Sequence, residues 1–195
     1  MNIAVFCASS NRVKGVYAEA ARKLGQEMAQ RGWNLVYGGT NCGLMREVAD
    51  AVLEQGGGVK GIIPRCIAER GVKAEKLTDL IVVPDMKERK YLMRKAADAF
   101  IALPGGWGTL EEITEVITLK QLGLHQKPIV FINTDGFYDL FFDFINKAFE
   151  ESFVSSAYKG LYKVVDEVVE AVAYIADYKD CLLYTSPSPR DGLLS

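Results

Sequence analysis

The residues best suited to chemistry lie in loops that follow predicted strands and lead into predicted helices. Two of these loops are rich in glycine: Pro104–Glu112 reads PGGWGTLEE, and Gly38–Met45 reads GGTNCGLM. A third loop, which contains Ser9, leaves the first strand. Glycines let backbone N–H groups crowd around an anion, and the helix that follows directs its partial positive charge to the same place. Because a parallel sheet gathers such loops at one edge, the two together predict a phosphate-binding site.

The same loops exclude several familiar kinds of site. No Lys-Ser or Lys-Thr pair follows Gly43, so the second loop is not the P-loop of ATPases. In the first loop Glu111 stands where a dinucleotide fingerprint has its third glycine, and the next strand ends at Asn133 rather than at an acid. The sequence has neither a GxSxG nor an HExxH motif, and His125 is its one histidine. ATP hydrolysis, NAD or flavin binding and Ser-His catalysis therefore gain no support.

The charged residues near the first loop leave two interpretations open. Glu112 follows Thr109 by three residues, which is the spacing of a helix capping box with Thr109 as the N-cap. The other interpretation is a functional carboxylate, and such a charge needs a cation. The segment Met86–Lys90 supplies Arg89 and Lys90 at the start of the preceding helix. Most basic residues of that helix are nevertheless expected to form an ordinary solvated face.

Two motifs taken together resemble those of one enzyme family. Met86-x-x-Arg89-Lys90 precedes Pro104-Gly105-Gly106-x-Gly108-Thr109-x-x-Glu112, and this pair is similar to the motifs of the LOG ("Lonely Guy") family of nucleoside 5'-monophosphate phosphoribohydrolases. The resemblance runs from Met1 to about Tyr178. It implies hydrolysis of the N-glycosidic bond of AMP or an N6-modified AMP, a cytokinin riboside monophosphate, to free base and ribose 5-phosphate. It requires no metal and no organic cofactor.

The resemblance also implies roles for individual residues. The catalytic pair maps onto Arg89 and Glu112, and simple chemistry agrees because breaking this bond builds positive charge on the ribose, which a carboxylate stabilises. Lys87 and Gly71 depart from the family pattern, in which many members have His and Glu, so the base preference stays open. The family positions imply substrate binding by Lys90, Gly106, Trp107, Gly108, Thr109, Leu110, Glu111 and Thr118, and the loops add Gly105, Ser9, Gly38, Gly39 and Thr40.

A second class of function stays open. Non-catalytic nucleotide or molybdenum-cofactor carriers resemble the same scaffold, and fold alone does not separate a carrier from an enzyme. The complete pair of Arg89 and Glu112 favours the enzyme, because a carrier has no need of a carboxylate beside a phosphate. The label "lysine decarboxylase", often attached to such sequences, implies a pyridoxal-lysine site for which no residue argues.

Positioning these loops requires a sheet. Apolar runs of strand length alternate with segments of helical period, which predicts an α/β, Rossmann-like three-layer domain with a mainly parallel central sheet of about six or seven strands. The domain spans residues 1–179. Residues 180–195 are expected to be a disordered tail, which we interpret as translated adapter sequence rather than a natural tail. Strands are predicted at Ile3–Cys7, Asn34–Tyr37, Val59–Ile63, Leu80–Val83, Ala99–Leu103, Ile129–Ile132 and Tyr162–Val165, and helices at Val13–Arg31, Leu44–Gln55, Lys87–Asp98, Leu110–Leu122, Phe137–Glu151 and Glu167–Tyr178.

The composition narrows the partners. Among 195 residues, 23 basic and 25 acidic side chains give a net charge of -2, which provides no general field for nucleic acid. No apolar run is long enough for a membrane span and no signal peptide is evident, so we expect a cytoplasmic protein with free, reduced cysteines. His125, after a predicted helix end, and Cys7 are expected to be structural. The family resemblance implies a homodimer with active sites near its interface.

Overall fold

The computed structural model describes residues 1–178, which contain seven strands and seven α-helices joined by loops and short turns. The strands are β1 (Asn2–Phe6), β2 (Asn34–Tyr37), β3 (Val59–Pro64), β4 (Asp79–Val83), β5 (Ala99–Ala102), β6 (Ile129–Ile132) and β7 (Lys163–Val165). The helices are α1 (Gly15–Gln30), α2 (Gly43–Glu54), α3 (Arg65–Ile67), α4 (Met86–Ala96), α5 (Trp107–Gln121), α6 (Asp139–Glu150) and α7 (Val168–Asp177). All strand pairs are parallel, in the order β4-β3-β2-β1-β5-β6-β7.

Helices cover both faces of the sheet, which explains why its central strands are apolar throughout. Side chains alternate along each strand, so Ile3 and Val5 of β1 face one layer while Ala4 and Phe6 face the other. The first layer consists of α1, α2 and α7. The second consists of α4, α5 and the aromatic residues at and before α6, which pack on Phe131 of β6. The predicted three-layer α/β fold is therefore confirmed.

The order of the strands reverses beside β1. The chain builds β2, β3 and β4 on one side of β1 and then crosses over to place β5, β6 and β7 on the other. The loops after β2, β1 and β5 therefore lie next to one another at the carboxyl edge of the sheet. In parallel α/β sheets this reversal is where the crevice for a ligand opens.

Several helix boundaries differ from those predicted from the sequence. Helix α5 begins at Trp107 rather than Leu110, because the backbone is extended only as far as Gly106. Helix α4 begins at Met86, where the Asp85 carboxylate accepts the N–H of Glu88 at 2.9 Å, and α1 begins at Gly15 instead of Val13. The polar N-cap of α4 and the glycine before α5 decide these starts more than the apolar period does.

A short helical segment after β3 was not predicted. Helix α3 continues into a wide π-type turn at Ala68–Val72, within which Gly71 has a φ of +74°. Such a backbone suits glycine and strains other residues, so Gly71 fits this position. The segment supports the second glycine loop, because Val72 accepts the N–H of Asn41 at 2.8 Å and Ala74 donates to Gly39 at 3.0 Å.

The predicted domain boundary at residue 179 and the tail at 180–195, with Cys181, lie outside the described residues. Within residues 1–178, every helix is too short or too polar to cross a lipid bilayer.

Candidate active site

The three predicted loops meet at the carboxyl edge of the sheet. Ala8, after β1, donates its N–H to the carbonyl of Pro104 at 3.2 Å and accepts the N–H of Leu44 at 2.9 Å. The side chain of Asn11 accepts the N–H of Gly43 at 2.8 Å. These bonds tie the loop after β1 to both glycine-rich loops, as the expectation of one shared site requires.

A buried ion pair lies beneath these loops. Arg89, in the first turn of α4, donates through Nε to the carbonyl of Ile62 at 3.1 Å and through Nη1 to a carboxylate oxygen of Glu112 in α5. The side chains of Arg89 and Glu112 are only 5% and 4% exposed. The structure thus brings together the two residues for which a catalytic role is expected.

Burial and the arginine act on the Glu112 carboxyl in opposite directions. Removal from water raises the pKa of Glu112 above its ordinary value, while the charge of Arg89 and its hydrogen bond lower that pKa. We take the raised pKa as the net result, because burial is the larger effect. A carboxylate in this setting is poorly hydrated and fixed in direction. It is therefore suited to stabilising a developing positive charge or to accepting a proton.

The capping-box interpretation of Thr109 and Glu112 is wrong. The N-cap of α5 is Gly106, which has no side chain to cap with, and Thr109 already lies inside the first turn. The Thr109 side chain instead packs on Gly105, where an added β-carbon would overlap the threonine hydroxyl. Because the helix starts three residues earlier than predicted, Glu112 faces Arg89 rather than the helix end.

A second, more exposed set of ion pairs joins α4 to α5. Lys90 pairs with Glu111 and, at 3.1 Å, with Glu115, which also accepts a hydrogen bond from Arg94 at 2.8 Å. The hydrogen bond that Lys90 donates to Glu111 raises the pKa of Lys90. The cationic partners expected for these acids are therefore present. A surface groove of about 630 Å³ runs alongside, lined by Lys90, Arg94, Glu115 and residues of the first turns of α4.

The other residues expected to bind substrate differ in burial and in distance from the ion pair. Gly38, Gly39 and Thr40 are buried under the loops, whereas Ser9, Gly106 and Gly108 are exposed at the carboxyl edge. Trp107 is 89% exposed, and Leu110 is half-buried. Thr118 lies apart from this cluster, on the exposed surface of α5 nearly two turns beyond Glu112, with its hydroxyl donating to the Thr114 carbonyl at 2.8 Å.

His125 and Cys7, for which a structural role is expected, are half-buried and buried, respectively. The ring of His125 accepts the N–H of Lys127 at 3.2 Å on one nitrogen and faces the carbonyl of Val116 at 2.9 Å with the other, and burial lowers its pKa. Cys7 is buried, and burial raises the pKa of its thiol. Among the described residues, no three His, Cys, Asp or Glu side chains converge as metal ligands would.

Two contributors to the site were missed. The Ile62 carbonyl that holds Arg89 belongs to the backbone, so no residue type signals it. Met45 lies in the GLM of the second loop and accepts a hydrogen bond from Thr40 at 3.0 Å through its sulfur. Its place in that motif was the available signal.

Comparison with known proteins identifies the family. The family described as "Possible lysine decarboxylase" matches residues 45–175. The cytokinin riboside 5'-monophosphate phosphoribohydrolase LOG3 of Arabidopsis thaliana is 45% identical over 179 residues, which cover 92% of this chain and 83% of LOG3. The chain belongs to the LOG family. LOG5 of the same plant, another protein with that enzyme name, is 48% identical over 149 residues, or 76% of this chain and 65% of LOG5, just under two thirds of its length.

Among solved structures, the molybdenum cofactor binding protein of Rippkaea orientalis shares the fold. Its TM-score is 0.69 at 20% identity, and the match covers 90% of this chain and 94% of that one. At so low an identity the likeness concerns the architecture alone. The LOG family and the cofactor-binding protein therefore share a scaffold, and their sites must be judged from side chains.

Proposed function

We propose that this chain is a phosphoribohydrolase that cleaves the N-glycosidic bond of a nucleoside 5'-monophosphate, either AMP or an N6-modified AMP of the cytokinin riboside type. Its products are the free base and ribose 5-phosphate. The observation that carries the proposal is the buried pair of Arg89 and Glu112 at the point where the strand order reverses. The LOG enzymes of Arabidopsis thaliana, named for this activity, support it.

In the proposed mechanism Glu112 is the catalytic carboxylate. As the bond between the base and the ribose breaks, the base leaves with the electron pair and positive charge develops on the sugar. The Glu112 carboxylate stabilises that charge or takes a proton from the attacking water, whose oxygen forms the new bond to the sugar. The proton that the water releases ends on the nitrogen of the departing base, which leaves as the neutral free base. Arg89 lowers the pKa of Glu112 against the larger effect of burial, and it holds the direction of the carboxylate through hydrogen bonds to Glu112 and to the Ile62 carbonyl.

We propose that the 5'-phosphate binds at the turn Gly105–Thr109, where the N-terminus of α5 contributes its partial positive charge. Exposed Gly106 and Gly108 leave the backbone N–H groups of this turn accessible. Lys90 is already paired with two acids, so backbone donors carry much of the anion binding in this proposal. Ser9, Gly38, Gly39 and Thr40 complete the surrounding loops, and Trp107, Leu110, Glu111 and Thr118 are assigned to the substrate by family position.

Assembly and compartment are part of the proposal. We propose a homodimer through the surface of α4 and α5, supported by exposed Leu122 and Leu124 near the C-terminal end of α5 and by exposed Tyr91 of α4. In such a dimer Thr118, which lies apart from the cluster in its own chain, is free to serve the other subunit's site. We propose the reducing cytoplasm as the compartment, supported by free cysteines at Cys7, Cys42 and Cys66.

Incubation with a panel of nucleoside 5'-monophosphates, with free base followed by chromatography, tests the activity directly. We expect AMP or an N6-substituted AMP to release base, and adenosine to react at least about a hundredfold more slowly because it lacks the phosphate. Comparable rates on adenosine and AMP would contradict the phosphate site. Tight binding of the monophosphates without release of base would instead favour the carrier function, which at present rests on likeness of fold alone.

A further inference from the structure

Gly38 lies against the guanidinium of Arg89. The glycine follows β2 and is buried, and a β-carbon built on it would overlap the Nη2 nitrogen of Arg89. The same β-carbon would lie 3.2 Å from the sulfur and 3.3 Å from the terminal methyl of Met45. The backbone of Gly38, the thioether of Met45 and the guanidinium therefore converge on one small volume. Gly38 does not have a positive φ, so a requirement for glycine here comes from space and not from backbone conformation.

Met45 is itself held in place. Its sulfur accepts a hydrogen bond from the hydroxyl of Thr40 at 3.0 Å, and Thr40 is only 7% exposed. The backbone next to Thr40 is fixed as well, because Gly39 and Asn41 are hydrogen-bonded to the segment around Val72. The methionine is thus anchored by a loop that is bonded on both sides.

We infer that Gly38, Thr40 and Met45 form a seat for the Arg89 guanidinium, and that they act in catalysis as positioning residues that aim Arg89 at Glu112. We call these three residues the arginine seat. The inference rests on the proposed function, and it changes the role of Gly38 and Thr40 from direct substrate contact to support of the catalytic pair.

The physical need for such a seat follows from the shape of arginine. Its guanidinium is a rigid plane, and two of its nitrogens are committed to the Ile62 carbonyl and to Glu112. Those two bonds leave the Nη2 side of the plane to be located by packing. A glycine permits the close approach, and the polarisable thioether of Met45 fills the remaining space. Any displacement of the plane would weaken the bond to Glu112 first, because that bond joins two separate helices.

The principal test replaces Gly38 by alanine. In Gly38→Ala we expect kcat on AMP to fall about a hundredfold, as a displacement near 1 Å can cause, with KM changed by less than about threefold. The matched control is Gly58→Ala, which brings a new methyl against the side chain of Asn34 at the opposite edge of the sheet. Gly58→Ala should lose comparable stability and keep wild-type kcat. A raised KM with unchanged kcat in Gly38→Ala would overturn the inference in favour of direct substrate contact.

A second variant avoids the steric overlap. Met45→Leu keeps an apolar side chain of similar volume but cannot accept the hydrogen bond from Thr40, so kcat should fall by about threefold to tenfold while the protein stays folded. Wild-type kcat in both Met45→Leu and Gly38→Ala would overturn the arginine seat.

A readout that needs no activity separates this inference from the proposed function. The carboxyl of Glu112 can be titrated by 13C NMR in protein with labelled glutamate, with the signal assigned through its loss in Glu112→Gln. The charged or titratable groups that act on this carboxyl are Arg89 and Lys90 from α4, Glu111 from α5 and Cys7, which directly follows β1. We expect its pKa to rise in Gly38→Ala, because the displaced guanidinium stabilises the carboxylate less, and to stay unchanged in Gly58→Ala. An unchanged pKa in Gly38→Ala would contradict the seat even if wild-type protein cleaves no nucleotide.

Discussion

At the scale of single residues, the pair of Arg89 and Glu112 is better suited to chemistry than to stability. Each charge loses most of its hydration on burial, at a cost of several kcal/mol, and their mutual attraction does little more than offset that loss. Removal of one partner alone leaves an uncompensated charge, which costs about 3–5 kcal/mol. A fold that needed only stability at this position would be served as well by apolar side chains. The pair therefore indicates a function that needs a fixed, poorly hydrated carboxylate.

The first prediction concerns the charge of Glu112. Glutamine keeps the size of the side chain and an oxygen that accepts the Arg89 hydrogen bond, but it carries no charge. We expect Glu112→Gln to lower kcat on AMP at least about a hundredfold, measured as release of free base. Glu47→Gln is the matched control, because it removes the carboxylate of a different ion pair, with Arg22 at 2.7 Å, and neither residue is expected to bind substrate. Wild-type turnover in Glu112→Gln would favour the carrier function.

The carboxyls of Glu112 and Glu47 should contribute to the free energy of unfolding with opposite dependences on pH. Burial raises the pKa of Glu112, so between the unfolded and folded pKa values the folded state binds more protons, and the contribution of Glu112 to stability grows as pH falls. The hydrogen bond from Arg22 lowers the pKa of Glu47, so its contribution is lost as pH falls through the folded pKa.

Urea unfolding between about pH 7 and pH 4 measures both effects. The free energy of unfolding of wild type relative to Glu112→Gln should increase toward acid, and that relative to Glu47→Gln should decrease. Parallel changes in the two differences would show that burial does not dominate the titration of Glu112.

At the scale of elements, the start of α5 places the chemistry. Because the helix begins at Trp107, Glu112 is turned toward α4, and the turn Gly105–Thr109 delivers the helix N-terminus to the edge of the sheet. Thr109 packs so closely on Gly105 that the turn and the first helical residues form one unit. The proposed phosphate binding and the direction of Glu112 therefore depend on the same few residues.

Gly105→Ala tests this coupling. The added methyl would overlap the Thr109 side chain and tilt the first turn of α5, so we expect KM for AMP to rise about tenfold or more together with a loss of kcat. Gly160→Ala, at an exposed glycine with open space around it, should behave as wild type. Steady-state kinetics of the two purified variants measure KM and kcat for AMP. An unchanged KM in Gly105→Ala would show that the phosphate binds elsewhere.

Secondary-structure elements could be predicted from the sequence more completely than contacts between distant side chains. The seven strands were predictable because runs such as Ile129–Ile132 are apolar throughout and bounded by turn residues. The need of the acids for a cation predicted a partner within Met86–Lys90, and the specific pair of Arg89 with Glu112 was implied by the family resemblance. The start of α5 was not, since Thr109 and Glu112 have the spacing of a capping box, and the backbone of Gly106 decided against it. The close approach of Gly38 to Arg89, which leaves no room for a β-carbon, joins two segments that are distant in sequence. Only the three-dimensional structure reveals it.

At the scale of the whole molecule, the exposed apolar side chains of residues 1–178 include two well-separated pairs. Leu122 and Leu124, at the end of α5, are 65% and 69% exposed, and Leu140 and Phe144 of α6 are 83% and 67% exposed. The first pair follows the C-terminal end of α5, and the second lies on α6. Because the proposed dimer uses the surface of α4 and α5, it involves the first pair rather than the second.

We therefore expect Leu124→Glu to dissociate the homodimer, as measured by light scattering. Leu140→Glu in α6 should leave the dimer intact, although Leu140 is more exposed than Leu124. The protein for this experiment should end before residue 180, so that the apolar residues of the tail do not drive association. The opposite result would place the interface on α6.

Mixed subunits provide the kinetic counterpart. Arg89 and Glu112 are paired within one chain, so every active site in a mixture of Arg89→Ala and Glu112→Ala subunits lacks one member of the pair. The mixture should be no more active than the separate variants.

A second mixture tests whether Thr118 serves the neighbouring site. If it does, mixing Thr118→Ala with Glu112→Ala subunits should restore part of the activity. One site of the mixed dimer then has Glu112 from one chain and Thr118 from the other. Restored activity in the first mixture would show that Arg89 and Glu112 act across the interface, contrary to the geometry within the chain.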